Sequence, residues 1–308
     1  MSELLPTFDF HTVFVAPWTE DWRLYGVIAL MGFLVSLACG LCGTFLVLRR
    51  LSLLGDAISH SVLPGLVLAF LWTGARHPLA MLVGAAGSGL FATAAIEFLQ
   101  SRSRLKGDAA TGIVFTTLFA FGVFLLTRHA HAVDLDPDCV LHGEIGFLPF
   151  QPSVEWLGLS LGPRPVVFMA AVALGVIALG ALLYPALLVS SFDPGLAASR
   201  GLSPRFMHHL LLGGVAVVVV AAFEAVGAIL VIGMLILPPA FGLLLTRRLP
   251  ALLALTVLHG ALSAPLGVSL AIWLNCAIAP AMVVAGALLF GLAWLASLAR
   301  GLTRRGGQ

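Results

Sequence analysis

Nine apolar stretches, each long enough to cross a bilayer, take up most of the chain: 24–48, 51–74, 78–99, 108–127, 165–189, 207–224, 227–246, 249–273 and 278–299. Hydrocarbon offers no water to satisfy backbone N–H and C=O groups, so a spanning segment must be a helix or a strand of a closed barrel. Runs of about 20 apolar residues fit the bilayer core as helices; barrel strands would alternate polar and apolar over about 10 residues. Composition agrees, with 60% hydrophobic and 10% charged residues against about 25% charged in soluble domains. Mean hydropathy is +1.07. The expected fold is all-α, a polytopic membrane protein of eight to nine transmembrane helices in one domain over 1–308. The count is eight or nine because the sixth and seventh stretches are broken only around Glu224.

The basic residues orient the set. If nine segments alternate, twelve of the sixteen Lys and Arg fall on one side: Arg49, Arg50, Arg102, Arg104, Lys106, Arg200, Arg205, Arg247, Arg248, Arg300, Arg304 and Arg305. The positive-inside rule makes that side cytoplasmic. The N-terminus and residues 1–22 are then outside and the C-terminus inside. Residues 1–22 contain no Lys or Arg, so no basic region of a secretory signal precedes the first apolar run. An outer loop over 128–164 is rich in His and Asp, and an inner loop spans 190–206.

Within the second stretch, Asp56 and His60 sit one helical turn apart in Gly55-Asp56-Ala57-Ile58-Ser59-His60-Ser61-Val62-Leu63-Pro64-Gly65. An ionisable residue at mid-membrane costs about 2.5–3.5 kcal/mol, so it faces a cavity, a partner or a transported ion. Residues at i and i+4 point the same way from a helix, and a rise of about 1.5 Å per residue brings His60 near mid-membrane. Together they offer the oxygen and nitrogen donors that a divalent transition metal prefers. A structural pair, with Asp56 capping a helix and His60 bonding a neighbouring backbone, fits the same residues. Pro64 and Gly65 follow at once and disturb the backbone there, as in the broken helices of transporters.

Other features are weaker. His129, His131, Asp134, Asp136, Asp138, His142 and Glu144 crowd the outer loop and suit cation attraction, or an ordinary solvated loop. Glu224 falls near the outer surface, as a lining group or an interfacial residue. In the inner loop, Phe192-Asp193-Pro194 through Ala197 to Gly201 reads as a short helix, started by Asp-Pro and ended by Gly. Gly227 and Gly233 allow close packing, and the pair Pro238-Pro239 is expected to break its helix. Cys39 and Cys42 form a C-x-x-C inside an apolar run, where small-residue packing is the simpler reading. No G-x-x-x-x-G-K-[ST] phosphate loop and no H-E-x-x-H is present, so neither ATP hydrolysis nor the metalloprotease pattern is readable.

The stretch Gly55 to Gly65 resembles the signature of the ABC-3 family, the membrane permeases of bacterial zinc, manganese and iron ABC importers. Further stretches agree in order: Asp108 to Phe115, Asp136 to Ile145, Phe192 to Gly201 and Val226 to Ala240. The chain departs from the pattern at His142, where Tyr is more usual, at Glu224, where a neutral polar residue is, and in the turn before the last helix. The resemblance implies Asp56 and His60 as the metal path. It makes Phe192, Asp193, Ala197 and Gly201 the contact with the ATPase. From the residues themselves, apart from the resemblance, Pro64, Gly65, Pro238 and Pro239 are read as shaping the path, and Asp136, Asp138, His142, Glu144 and Glu224 as an outer entry. The resemblance implies no catalytic residue and no permanent cofactor, the metal ion being the cargo. The implied partners are two cytoplasmic ATPase subunits, an extracytoplasmic metal-binding protein, and a second permease copy or a paralogue, with no nucleic acid. The implied location is the bacterial cytoplasmic membrane. Three other readings fit the residues: a permease for metal chelates such as siderophore or haem, an intramembrane enzyme using Asp56 and His60 as acid and base, and an ion-driven carrier.

Overall fold

The computed structural model describes residues 8–74, 78–129, 145–156 and 159–305; at Asp56 and Glu224 it describes the main chain alone. Asp136, Asp138, Cys139, His142 and Glu144 lie outside the described residues. After two helical turns, His11–Val15 and Ala16–Thr19, the chain is a bundle. Its helices are α1 (Trp22–Leu48), α2 (Ser52–Ser61), α3 (Leu63–Thr73), α4 (Pro78–Arg102), α5 (Gly107–Arg128), α6 (Arg164–Leu182), α7 (Tyr184–Phe192), α8 (Pro194–Ser199), α9 (Pro204–Leu245), α10 (Leu249–Leu274) and α11 (Ile278–Arg305). Among the described residues, seven helical segments are long and apolar enough to span a membrane: α1, α5, α6, the two halves of α9, α10 and α11. The α2–α3 pair and α4 run beside them. The loop before α6 carries a short helix, Ile145–Phe150, and an antiparallel pair, β1 (Ser153–Trp156) and β2 (Leu159–Pro163), with Trp156 opposite Leu159.

Packing pairs give the sense of each helix. Gly32 lies against Ala264 and Gly40 against Thr256, so α1 and α10 are antiparallel. Met282 lies against Gly267 and Gly286 against His259, so α11 reverses α10. Gly233 meets Val283 and Leu237 meets Gly286, so the second half of α9 runs with α11. Its first half is antiparallel to α4, with His208 beside Glu97 and Ala216 beside Gly89. His208 is also within electrostatic reach of Arg49, at the end of α1. The parts of α9 before and after Gly227 therefore form a hairpin. The turns bearing Arg49–Arg50, Arg102–Lys106, Arg200–Arg205 and Arg247–Arg248 gather at one end of the bundle.

The bend falls where the sixth and seventh apolar stretches meet, just after Glu224, at Gly227, whose φ of 78° and ψ of 168° suit a residue without Cβ. One sequence expectation is corrected. The helix runs unbroken through Pro238 and Pro239 to Leu245. A proline removes the hydrogen bond to the carbonyl four residues back, here those of Met234 and Leu235. Both carbonyls face α1, near Gly40 and Gly43, so the neighbouring helix packs against the groups that the prolines leave unbonded. Between apolar helices in lipid such close packing replaces the hydrophobic drive of water. The C-x-x-C belongs to this packing: Cys39 and Cys42 are free and buried in α1.

Candidate functional site

The tight turn 49–51 leads into α2, with Arg50 in the left-handed region at φ 59°. Position 56 then lies one turn before position 60 on the same helix. The helix register fails just after His60. Pro64 has no N–H to offer the His60 carbonyl four residues back, and the helix is divided between Ser61 and Leu63. The next carbonyl along, Ser61 O, accepts from the Ser88 hydroxyl of α4 at 2.6 Å. α2 and α3 are thus a broken helix whose gap follows the carboxylate–imidazole pair by a few residues.

The junction is pinned on two sides. A Cβ on Gly65 would fall 2.1 Å from the Gly84 carbonyl oxygen of α4, and one on Gly122 of α5 would fall 2.9 Å from the Pro64 nitrogen. The His60 ring is half-buried and lies 6.0 Å from the ring centre of Phe115 and 5.6 Å from that of Phe119, both on α5. Phe119 is 41% exposed, so the imidazole sits beside an open apolar face and not in the sealed core. Among the described residues no three His, Cys, Asp or Glu side chains form a metal cage.

The other expected residues fall elsewhere. Pro238 and Pro239 lie in α9 against α1, and Leu235 of the same segment packs on Gly55 of α2. At the basic end, Asp193 caps α8, its Oδ1 accepting from Leu196 N at 2.9 Å. Pro194 opens α8, Ala197 is buried, and Phe192 is exposed. Gly201 ends the turn with φ 76°, and Leu202 N donates to Ala197 O at 3.0 Å. Asp193 to Gly201 and Asp56 to His60 are thus separate sites on one bundle.

Sequence reasoning passed over two polar clusters. Arg49 donates from Nε to Ser191 Oγ at 3.0 Å and from Nη2 to Ser190 Oγ at 2.9 Å. Burial pulls this guanidinium below its usual range, though it stays charged. Glu97 of α4 receives His208 at 2.9 Å and His209 at 3.4 Å. For Glu97, His208 and His209 the available signal was an ionisable residue inside an apolar stretch, whereas Arg49 lies between stretches; which of these groups meet depends on the packing of distant helices.

The model of the ABC 3 transport family matches residues 26–297. A relative, the manganese transport system membrane protein MntD of Bacillus subtilis, is 42% identical over 88% of this chain and 91% of its own length. The zinc transport system membrane protein TroD of Treponema pallidum is 42% identical over 90% of this chain and 75% of its own. In structure the chain is similar to a solved chain of PsaBC from Streptococcus pneumoniae in complex with Fab. The TM-score is 0.75 at 29% identity, over 91% of this chain and 94% of that one. A family match across nearly the whole bundle, carried by close relatives along the same length, makes this chain a member of the ABC 3 transport family.

Proposed function

We propose that this chain is the membrane permease subunit of an ATP-driven importer of a divalent transition metal: zinc, manganese or ferrous iron. Relatives covering most of the chain are named for manganese and zinc transport, which favours the free ion over a chelate as cargo. The observation that carries the reading is His60, an imidazole held beside an open face one turn after Asp56, where Pro64 interrupts the helix. Asp56 and His60 present one oxygen and one nitrogen donor to the passing ion. Transport needs binding weak enough to release, and two donors meet that need better than a closed four-ligand cage. In this reading Asp136, Asp138, His142, Glu144 and Glu224 belong to the outer entry.

The chain carries no phosphate loop, so two separate cytoplasmic subunits hydrolyse ATP and act on α8. An extracytoplasmic protein captures and delivers the metal, and a second permease copy or a paralogue completes the membrane unit. The end where the arginines gather is the cytoplasmic one by the positive-inside rule, which places the N-terminus outside the bacterial cytoplasmic membrane and the C-terminus inside.

The test is radiometal uptake by the complex reconstituted with its ATPase and binding protein, in competition with a panel of other metals and of chelates. Asp56→Ala and His60→Ala are expected to abolish uptake while the complex still assembles. Normal uptake of free zinc and manganese by both variants would sink the metal path.

A further inference from the structure

At the basic end of the bundle one side chain joins two segments far apart in sequence. Arg49 follows the last turn of α1, its N–H bonded to Phe45 O at 3.1 Å, and Leu51 N bonds Leu46 O at 2.8 Å. The turn 49–51 is therefore fixed to α1 and aims α2, with Asp56 and His60 on it. On the other side of Arg49, Ser190 and Ser191 close the last turn of α7. Their hydroxyls donate back to Leu187 O at 3.3 and 2.6 Å, which leaves oxygen lone pairs for the guanidinium. Asp193, the cap of α8, comes two residues after Ser191. Arg49 also lies within electrostatic reach of His208, which pairs with Glu97. The turn before the Asp56–His60 helix is thus tied to the segment that leads into α8.

We infer that Arg49 is a positioning residue for transport: it carries displacement of α8 through Ser190 and Ser191 to the turn 49–51, and so tilts α2. The inference rests on reading α8 as the segment on which the ATPase acts. A guanidinium suits the task because its planar fork bonds two acceptors in a fixed geometry, which a lysine ammonium on a flexible stem does not. Ser190 is buried and Ser191 half-buried, so water competes poorly for the pair.

The test measures ATP hydrolysed per metal ion imported in proteoliposomes holding the full transporter and its binding protein. The variants are Arg49→Gln, Arg49→Lys, the double variant Ser190→Ala/Ser191→Ala, and Asp193→Ala as reference. Arg49→Gln is expected to keep hydrolysing ATP while import falls tenfold or more, so that the ratio rises by that factor. The double serine variant removes the acceptors without touching Arg49 and is expected to raise the ratio severalfold; it decides the matter should Arg49→Gln fail to assemble. Arg49→Lys is expected to fall between wild type and Arg49→Gln. A wild-type ratio in the double serine variant, or in an assembled Arg49→Gln transporter, overturns the inference. If Asp193→Ala still raises the ratio or lowers the stimulation of ATP hydrolysis by the metal-loaded binding protein, only the role of Arg49 falls; if Asp193→Ala changes neither, the reading of α8 falls with it.

Discussion

The carbonyl oxygen of Leu235 faces the α-carbon of Gly43, so closely that a Cβ on Gly43 would lie 1.9 Å from it. The contact follows from Pro239, which cannot donate to that carbonyl. A Cα–H···O contact of this kind contributes about 0.5–1 kcal/mol, and it sets α1 and α9 at backbone distance. Gly43→Ala must push the helices apart and is expected to destabilise the permease by about 1–3 kcal/mol. Gly87→Ala, where nothing lies within 4 Å, is expected to be neutral or up to about 1 kcal/mol stabilising. Thermal unfolding in detergent compares them; equal melting temperatures would show that the close approach does not matter.

The same contact explains what could be read from the sequence. The apolar stretches, the caps of α8 at Asp193 and Gly201, and the interruption after His60 depend on residues next to one another, and each is visible as local pattern. The continuous passage of α9 through Pro238 and Pro239 is not, because the helix that packs on the two freed carbonyls is α1, nearly two hundred residues away. The break between the sixth and seventh stretches was legible around Glu224, and conformational freedom sets the reversal itself at Gly227. Asp56 and His60 were legible as a costly pair. The aromatic wall of Phe115 and Phe119 beside His60 required the placement of α5.

Ser36 is a buried polar residue whose hydroxyl has no partner among the described residues. It lies on α1 against Gly260 of α10. A buried hydroxyl without a partner costs about 1–3 kcal/mol of desolvation, and removing it can be neutral or stabilising. Ser36→Ala is therefore expected to leave the melting temperature unchanged or to raise it. A clear drop would mean that the hydroxyl is bonded in the assembled transporter.

Gly122 of α5 gives Pro64 its room. A Cβ there would meet the Pro64 nitrogen and Cδ at 2.9 Å and Leu63 Cγ at 3.0 Å. Gly122→Val therefore wedges α5 away from the α2–α3 junction and shifts Phe115 and Phe119 off His60, with no donor atom removed. Metal import is expected to fall severalfold while the complex is recovered in normal yield. Gly175→Ala on α6, where nothing lies within 4 Å, is the control and is expected to import normally. Uptake by Gly122→Val equal to this control would separate the shape of the junction from transport.

α8 is only a turn and a half long, so its ends decide whether it holds. The Asp193 carboxylate accepts from Leu196 N at 2.9 Å, and loss of such a cap costs about 1 kcal/mol. Gly201 at φ 76° occupies a conformation that costs an L-residue about 1–2 kcal/mol. Asp193→Ala and Gly201→Ala should therefore loosen α8 from either end, whereas Asp193→Asn keeps an acceptor and the cap. Stimulation of ATP hydrolysis by the metal-loaded binding protein is expected to fall severalfold in the two alanine variants and to stay near wild type in Asp193→Asn. Equal stimulation in all three would show that ATP hydrolysis is indifferent to the order of α8, whereas a loss in Asp193→Asn as large as that in Asp193→Ala would assign the effect to the negative charge of Asp193 and not to its cap.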